Sequence, residues 1–234
     1  MGSKVEKRTT SSGSGEPSAQ PIGREGKGDD VRRELLALLV QHSYRHADYP
    51  KFKLASGASS DTYIDCKVTT CLPQAGRMIG EVCGDLIPPE AEAVGGLTMG
   101  ADAIAYATSA YFLYMKGRLL NCFVVRKTPK DHGLNLCIEG APGKRVVVVD
   151  DVVTTGGSTI QAIKRCRDEG IEVLAVIVLV DREEHGGLQV VQETAGPNVP
   201  VHAIFKKSEL EALFLSQQAE HARTASAGHQ ATAG

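Results

Sequence analysis

Two adjacent carboxylates, Asp150 and Asp151, end a run of four valines and are followed within three residues by Thr154-Thr155-Gly156-Gly157-Ser158-Thr159. A valine run of this kind reads as a strand buried on both faces, so the acids stand at its end and the Thr/Gly/Ser stretch turns the chain into a helix. Such a turn offers hydroxyls and unpaired backbone N–H groups at a helix N-terminus, a phosphate site by geometry and by dipole. Two glycines let the backbone come close to the anion. The carboxylates would repel a phosphate and need another task, which hydroxyl donors supply. A ribose 5-phosphate satisfies both halves. The loop lacks the lysine of GxxxxGK[ST], and it is not GxGxxG. Taken alone, the motif also fits a plain strand–turn–helix capped by Asp and Thr, but two acids at a buried strand end are costly without a partner.

A second constellation is Arg126-Lys127-Thr128-Pro129-Lys130-Asp131-His132-Gly133. It holds four potential cations on a segment without apolar periodicity, punctuated by proline and glycine. By itself it is either a solvated basic turn or a clamp for an anion.

The elements that must position these groups are legible as a strand–helix alternation. A helix is expected from Asp29 or Asp30, either of which can cap it, with Val31, Leu35, Leu36, Leu38, Leu39 and Val40 as its apolar face. Phe52–Ser56 and Thr62–Lys67 read as two short strands forming a hairpin around the turn-rich 57–61 segment. Helices at Gln74–Leu86, Ala101–Met115 and Ser158–Arg167 alternate with strands at Ala91–Gly96, Leu119–Val125, Arg145–Asp150, Glu172–Val180 and Val201–Phe205. Strands apolar on both faces between helices make an α/β fold, a parallel sheet flanked by helices. Its chemistry belongs at the carboxyl ends of the strands. Residues 1–28 and 215–234 have too little apolar surface to bury and are expected as tails around a 29–214 domain.

Composition sets limits. The 234 residues carry a formal charge of -2 and are 42% hydrophobic, so no overall basic field argues for nucleic acid as a partner. Six cysteines form no CxxC pair and no zinc-ligand spacing, and read as reduced core thiols. The first 30 residues contain no apolar signal region, and no apolar stretch is long enough for a membrane span. A cytoplasmic protein is the expectation.

Asp150–Ser158 resembles the phosphoribosyl pyrophosphate signature of type I phosphoribosyltransferases. Two segments resemble the orotate phosphoribosyltransferases among them. Phe52–Asp65 is similar to the family's N-terminal hood motif, F-x-L-x-S-G-x-x-S-x-x-Y-x-D, and Arg126–Gly133 to its mobile loop, R-K-x-x-K-x-H-G. Gly95–Asp102 and Asp181-Arg182 fall in order where the family has its pyrophosphate loop and an orotate-contacting arginine. Together the segments run from about residue 50 to 186.

The resemblance implies a type I phosphoribosyltransferase-like fold with a small hood built from about 29–67 and parts of the C-terminal region. It implies transfer of phosphoribose to orotate, in which Lys130, Asp150 and Asp151 act in catalysis. Asp150 and Asp151 take the ribose hydroxyls, and Thr154, Thr155, Gly156, Gly157 and Ser158 take the 5′-phosphate. Arg126, Lys127, Lys130 and His132 take the pyrophosphate; Arg182 and the hood backbone near 56–63 take orotate. It further implies Mg²⁺ on substrate oxygens with few protein ligands, and a homodimer in which loop 126–140 completes the neighbouring site. No protein nucleophile is called for, and neither nucleic acid nor a membrane is expected as a partner. Ala55 and Met99 depart from the pattern, standing where many members have lysine. A transferase for another base, or a non-catalytic sensor of phosphoribosyl pyrophosphate, are the alternatives at this stage.

Overall fold

The strands gather into one six-stranded sheet because their valine-rich faces can only be covered by helices on both sides. The structure is a computed structural model and describes residues 25–47, 49–50, 52–53, 59–128 and 137–231. In chain order, α1 (Glu25–Leu38) runs through a π-helical turn, Leu39–Ser43, into β1 (Tyr44–His46). Then come β2 (Phe52–Lys53), β3 (Ser59–Ser60), β4 (Thr62–Ile64), α2 (Lys67–Thr70) and α3 (Pro73–Gly84). The α/β part follows: β5 (Ala93–Leu97), α4 (Asp102–Tyr111) with a second π-helical turn at Phe112–Lys116, β6 (Asn121–Val125), β7 (Ile138–Gly140) and β8 (Arg145–Val153). It closes with α5 (Gly157–Asp168), β9 (Glu172–Asp181), α6 (Gly187–Ala195), β10 (Val201–Lys206) and α7 (Lys207–Ala231).

The sheet order is β10-β9-β8-β5-β6-β7, parallel except for the edge strand β7. Alternate residues of β8 serve opposite faces. Val147 and Val149 pack in a cluster with Leu35, Ile79, Ile104 and Leu210, drawn from α1, α3, α4 and α7. Val146 and Val148 pack with Ala162, Ile163 and Val191, drawn from α5 and α6. The chain starts the sheet at β5, lays β6 on one side and β8 on the other. The adjacent pair β5–β8 is therefore the topological switch point, where a crevice opens at the carboxyl ends.

Several sequence expectations change. The expected hairpin between 52–56 and 62–67 does not form: β2 pairs with β3, while β4 pairs antiparallel with β1 and Lys67 opens a helix. The reason is burial, since register sets buried Tyr44 opposite buried Ile64. Among the elements that the sequence did not show are β1, β3, α2, β7 and α6. β7 has three residues, too few to show alternation, and exists through its pairing with β6. α6 begins at Gly187, an unusual residue to open a helix, and Val191 and Ala195 bury one face of it. α1 begins at Glu25, ahead of Asp29 and Asp30, and nothing in the structure accounts for the extra turn. Of the expected tails, residues 1–24 lie outside the described residues, whereas the chain from 215 continues α7 to Ala231. This stretch is alanine-rich and free of proline, and helix propensity rather than burial explains it.

Among the described residues, Cys66, Cys83, Cys137 and Cys166 are buried free thiols, while Cys71 is exposed. No helix among the described residues is long and apolar enough to cross a membrane.

Candidate active site

β8 carries Asp150 and Asp151 into the crevice, only 3% and 5% exposed. Asp150 accepts from the Thr159 hydroxyl on Oδ2 at 2.6 Å and from the Asp151 backbone N–H on Oδ1 at 3.0 Å. Burial, together with the neighbouring Asp151 charge, pushes the Asp150 carboxyl well above the usual carboxylate range even though the Thr159 bond pulls the other way. Asp151 accepts from the Val152 N–H on Oδ1 at 2.9 Å and from the Lys67 ammonium on Oδ2 at 3.1 Å. Gly100 faces the pair, and any side chain there would collide with Asp151 Oδ1.

The turn after β8 leads into α5. Gly156 takes a left-handed conformation, φ 80°, as the N-cap of α5. The first helical bond there is Ile160 N–H to the Gly156 carbonyl, so the N–H groups of Gly157, Ser158 and Thr159 have no acceptor within the helix. Thr155, Gly157 and Ser158 are exposed and Gly156 is buried. An open helix N-terminus with adjacent hydroxyls thus begins a few residues beyond the two carboxylates.

The neighbouring strand ends bring in Arg126 and Lys127. After β5, Thr98 donates to Asp102 at 2.7 Å, and Met99 projects 68% exposed. After β6, Arg126 pairs with Glu139 at 3.4 Å, and the Lys127 carbonyl accepts from Gln161 of α5 at 3.0 Å. Thr98, Arg126, Lys127 and Glu139 line one shallow cleft. Two strand spacings, about 10 Å, separate the ends of β8 and β6, enough for a pentose between two phosphate-bearing ends. Lys130 and His132 lie outside the described residues, as do Ala55 and Ser56 of the hood.

On the other side of β8, Arg182 follows β9 directly and is 5% exposed. Its guanidinium donates to Glu184 at 3.1 Å and at longer range to the Thr62 carbonyl of β4, which joins it to the hood. Arg182 Nε is buried and finds no partner among the described residues. Glu184 also accepts from Lys207 at 3.2 Å. The ion pair with Glu184 is largely buried. Nearby, Tyr63 of β4 stacks on Phe52 of β2, centroids 5.7 Å apart.

Comparison with known proteins follows this layout. Residues 127–197 match the model of the phosphoribosyl transferase domain family. An orotate phosphoribosyltransferase of Aquifex aeolicus is 44% identical over 182 residues, covering 76% of this chain and 97% of that one. The chain belongs to the orotate phosphoribosyltransferase family. Another orotate phosphoribosyltransferase, from Streptomyces coelicolor, is 43% identical over 77% of this chain and 97% of its own. Among solved structures, the orotate phosphoribosyltransferase of Mycobacterium tuberculosis superposes with a TM-score of 0.64 at 34% identity, covering 77% of this chain and 98% of that one. The same enzyme in complex with 5-phospho-alpha-D-ribosyl 1-diphosphate gives 0.60 at 28% identity, covering 77% and 92%.

Sequence reasoning missed three groups that lie against the two carboxylates. Thr159 was legible in hindsight, lying one turn into the helix on the side of the strand end. Gly100 belongs to the segment that resembles the pyrophosphate loop, but its closeness to Asp151 was not legible. Lys67, two residues beyond the hood motif's Asp65, carried no signal until the fold brought it to Asp151.

Proposed function

We propose that the chain transfers the 5-phosphoribosyl group of phosphoribosyl pyrophosphate to orotate, giving orotidine 5′-phosphate and pyrophosphate in pyrimidine nucleotide synthesis. One observation carries the reading: in a member of this family, two buried carboxylates lead straight into the open N-terminus of α5. Asp150 and Asp151 accept from the ribose hydroxyls. Thr154, Thr155, Gly156, Gly157 and Ser158 hold the 5′-phosphate through hydroxyls and N–H groups. The C1–oxygen bond to pyrophosphate breaks as the bond from the orotate ring nitrogen forms, and pyrophosphate leaves with the electron pair. Positive charge grows on the sugar ring and negative charge on the leaving group, so cations belong at the pyrophosphate and water must be kept out. Arg126 and Lys127 stand at that end of the crevice, and Lys130 and His132 complete the set from the same loop. Arg182, already tied to the hood through Thr62, recognises orotate.

The donor set suits Mg²⁺. Among the described residues no three His, Cys, Asp or Glu side chains converge, so a divalent ion here takes most ligands from substrate and water, with Asp150 and Asp151 as the hard oxygen donors at hand. When bound, the ion offsets charge on the pyrophosphate. The reading also includes a homodimer in which loop 126–140 completes the neighbouring site, working in the cytoplasm, a compartment that keeps thiols reduced.

The test is orotate depletion with phosphoribosyl pyrophosphate and Mg²⁺, comparing the wild type with Lys130→Ala. Wild-type turnover and a loss of roughly 10²–10³-fold in the variant are expected. A wild type that leaves orotate untouched sinks the reading, and unchanged turnover in Lys130→Ala removes that residue from it.

A further inference from the structure

Among the described residues, the Asp151 carboxylate is tied by an ion pair to Lys67, just beyond the hood strand β4. Its Oδ2 lies 3.1 Å from Lys67 Nζ, and the same ammonium lies 3.0 Å from Asp65 Oδ1. Asp65 directly follows β4, and Lys67 is the first residue of α2. Asp151 belongs to β8, in the middle of the sheet. The contact is therefore long-range in sequence and made at the floor of the crevice. Asp151 is held at both oxygens: the Val152 N–H donates to Oδ1 and Lys67 to Oδ2, while the lack of a side chain at Gly100 leaves Oδ1 its space.

The two carboxylates are served unequally. Asp150 has a hydroxyl and an N–H, while the ammonium sits on Asp151. Removing Lys67 leaves the buried Asp151 carboxylate without its cation, so that group must move or neutralise. Lys67 gains in turn: burial works against its charge, but Asp151 and Asp65 more than offset this and raise its pKa. Its side chain is 42% exposed, at the mouth of the site rather than sealed beneath it. An ammonium has three donors, and two carboxylates engage two of them.

We propose that Lys67 is a positioning residue for phosphoribosyl pyrophosphate, holding Asp151 in its hydroxyl-accepting orientation and coupling the hood to the ribose floor. This rests on the ribose-binding role given to Asp150 and Asp151 above. The bridge makes hood placement depend on the same carboxylate that receives the ribose, so the sugar site and the orotate site are linked through one side chain.

The experiment is calorimetric binding of phosphoribosyl pyrophosphate with Mg²⁺ to the full chain, beside steady-state kinetics in both substrates, for Lys67→Met, Lys67→Gln, Lys67→Arg and Asp65→Asn. The neutral variants are expected to bind phosphoribosyl pyrophosphate about 10–100-fold more weakly, consistent with the loss of one buried charge-assisted contact. Lys67→Arg recovers most of the affinity. Asp65→Asn keeps the Lys67–Asp151 contact, so its affinity for phosphoribosyl pyrophosphate stays near wild type while the KM for orotate rises. Folded neutral variants that bind within twofold of wild type overturn the proposal. So does a fall in kcat alone with both KM values unchanged. Binding does not require turnover, so a wild type that binds phosphoribosyl pyrophosphate but ignores orotate counts against the orotate reading, not against Lys67.

Discussion

The ionised form of Asp150 is one that the resting protein disfavours. The side chain is almost fully buried, beside a second carboxylate, with its own ionised form raised in free energy by both. The sign of the linkage follows. A carboxyl whose folded pKa lies above its unfolded one binds protons more tightly when folded, so stability falls as pH rises from the ordinary carboxylate range through the raised value. Above that value the whole cost stands. Asp150→Asn removes the charge, keeps an acceptor for the Asp151 N–H and offers the Thr159 hydroxyl a donor instead. The ligand-free variant is therefore expected to melt above the wild type at neutral pH, by an amount worth on the order of 1–3 kcal/mol, with the gap closing in acid. Orotate turnover should fall at least ~10²-fold, because a neutral amide is a weaker acceptor for ribose hydroxyls. Melting curves against pH for both proteins check this; coincident curves at neutral pH would show that Asp150 carries no such cost. A residue kept at a stability cost is one kept for its ligand.

Among the elements, the turn from β8 into α5 is set by α6, which the sequence reading did not see. A Cβ on Gly156 would lie 2.8 Å from Val191 Cγ2 and 2.9 Å from the Gly187 carbonyl oxygen, in addition to requiring an L residue at φ 80°. Gly156→Ala must push the phosphate turn off α6 or leave the left-handed conformation. It should cost about 1–3 kcal/mol, lowering Tm by roughly 2–4 °C per kcal/mol, and should raise the KM for phosphoribosyl pyrophosphate more than that for orotate. Equal changes in both KM values would separate the turn from the phosphate. The same comparison shows what was legible. The β8–turn–α5 unit could be read because its signals are local: a valine run, two acids, then glycines at a helix start. So could the parallel sheet, since every long strand is apolar on both faces. The hood pairings, β7, α6 and Lys67 could not. Each is fixed by a partner distant in the chain, as Tyr44 fixes Ile64 and Asp151 fixes Lys67. α7 failed for the opposite reason, being a helix with little core to bury beyond Leu210, Leu213 and Phe214.

At the scale of the whole molecule, the question is whose site the loop serves. Arg126 and Cys137 are joined by a backbone hydrogen bond of 2.8 Å, and Cys137 leads into β7 on the chain's own sheet edge. Both ends of the intervening segment are thus pinned within one protomer, and a chain of that length leaving and returning between them can reach at most about 18 Å. A neighbouring crevice can be reached only if the two sheet edges lie close. In a symmetric dimer each crevice would then take its Asp150–Asp151 floor from one chain and Lys130 from the other. Two variants, Lys130→Ala and Asp151→Asn, are each expected to be nearly inactive alone. Mixed under conditions that exchange subunits, they form hybrids in which one site has both defects and the other none. Random exchange makes half of the dimers hybrid, so orotate turnover should recover to about a quarter of wild type. Mixtures no more active than the separate variants, after exchange has been verified by mass labelling, would place Lys130 over its own chain's crevice and make each protomer's site complete in itself.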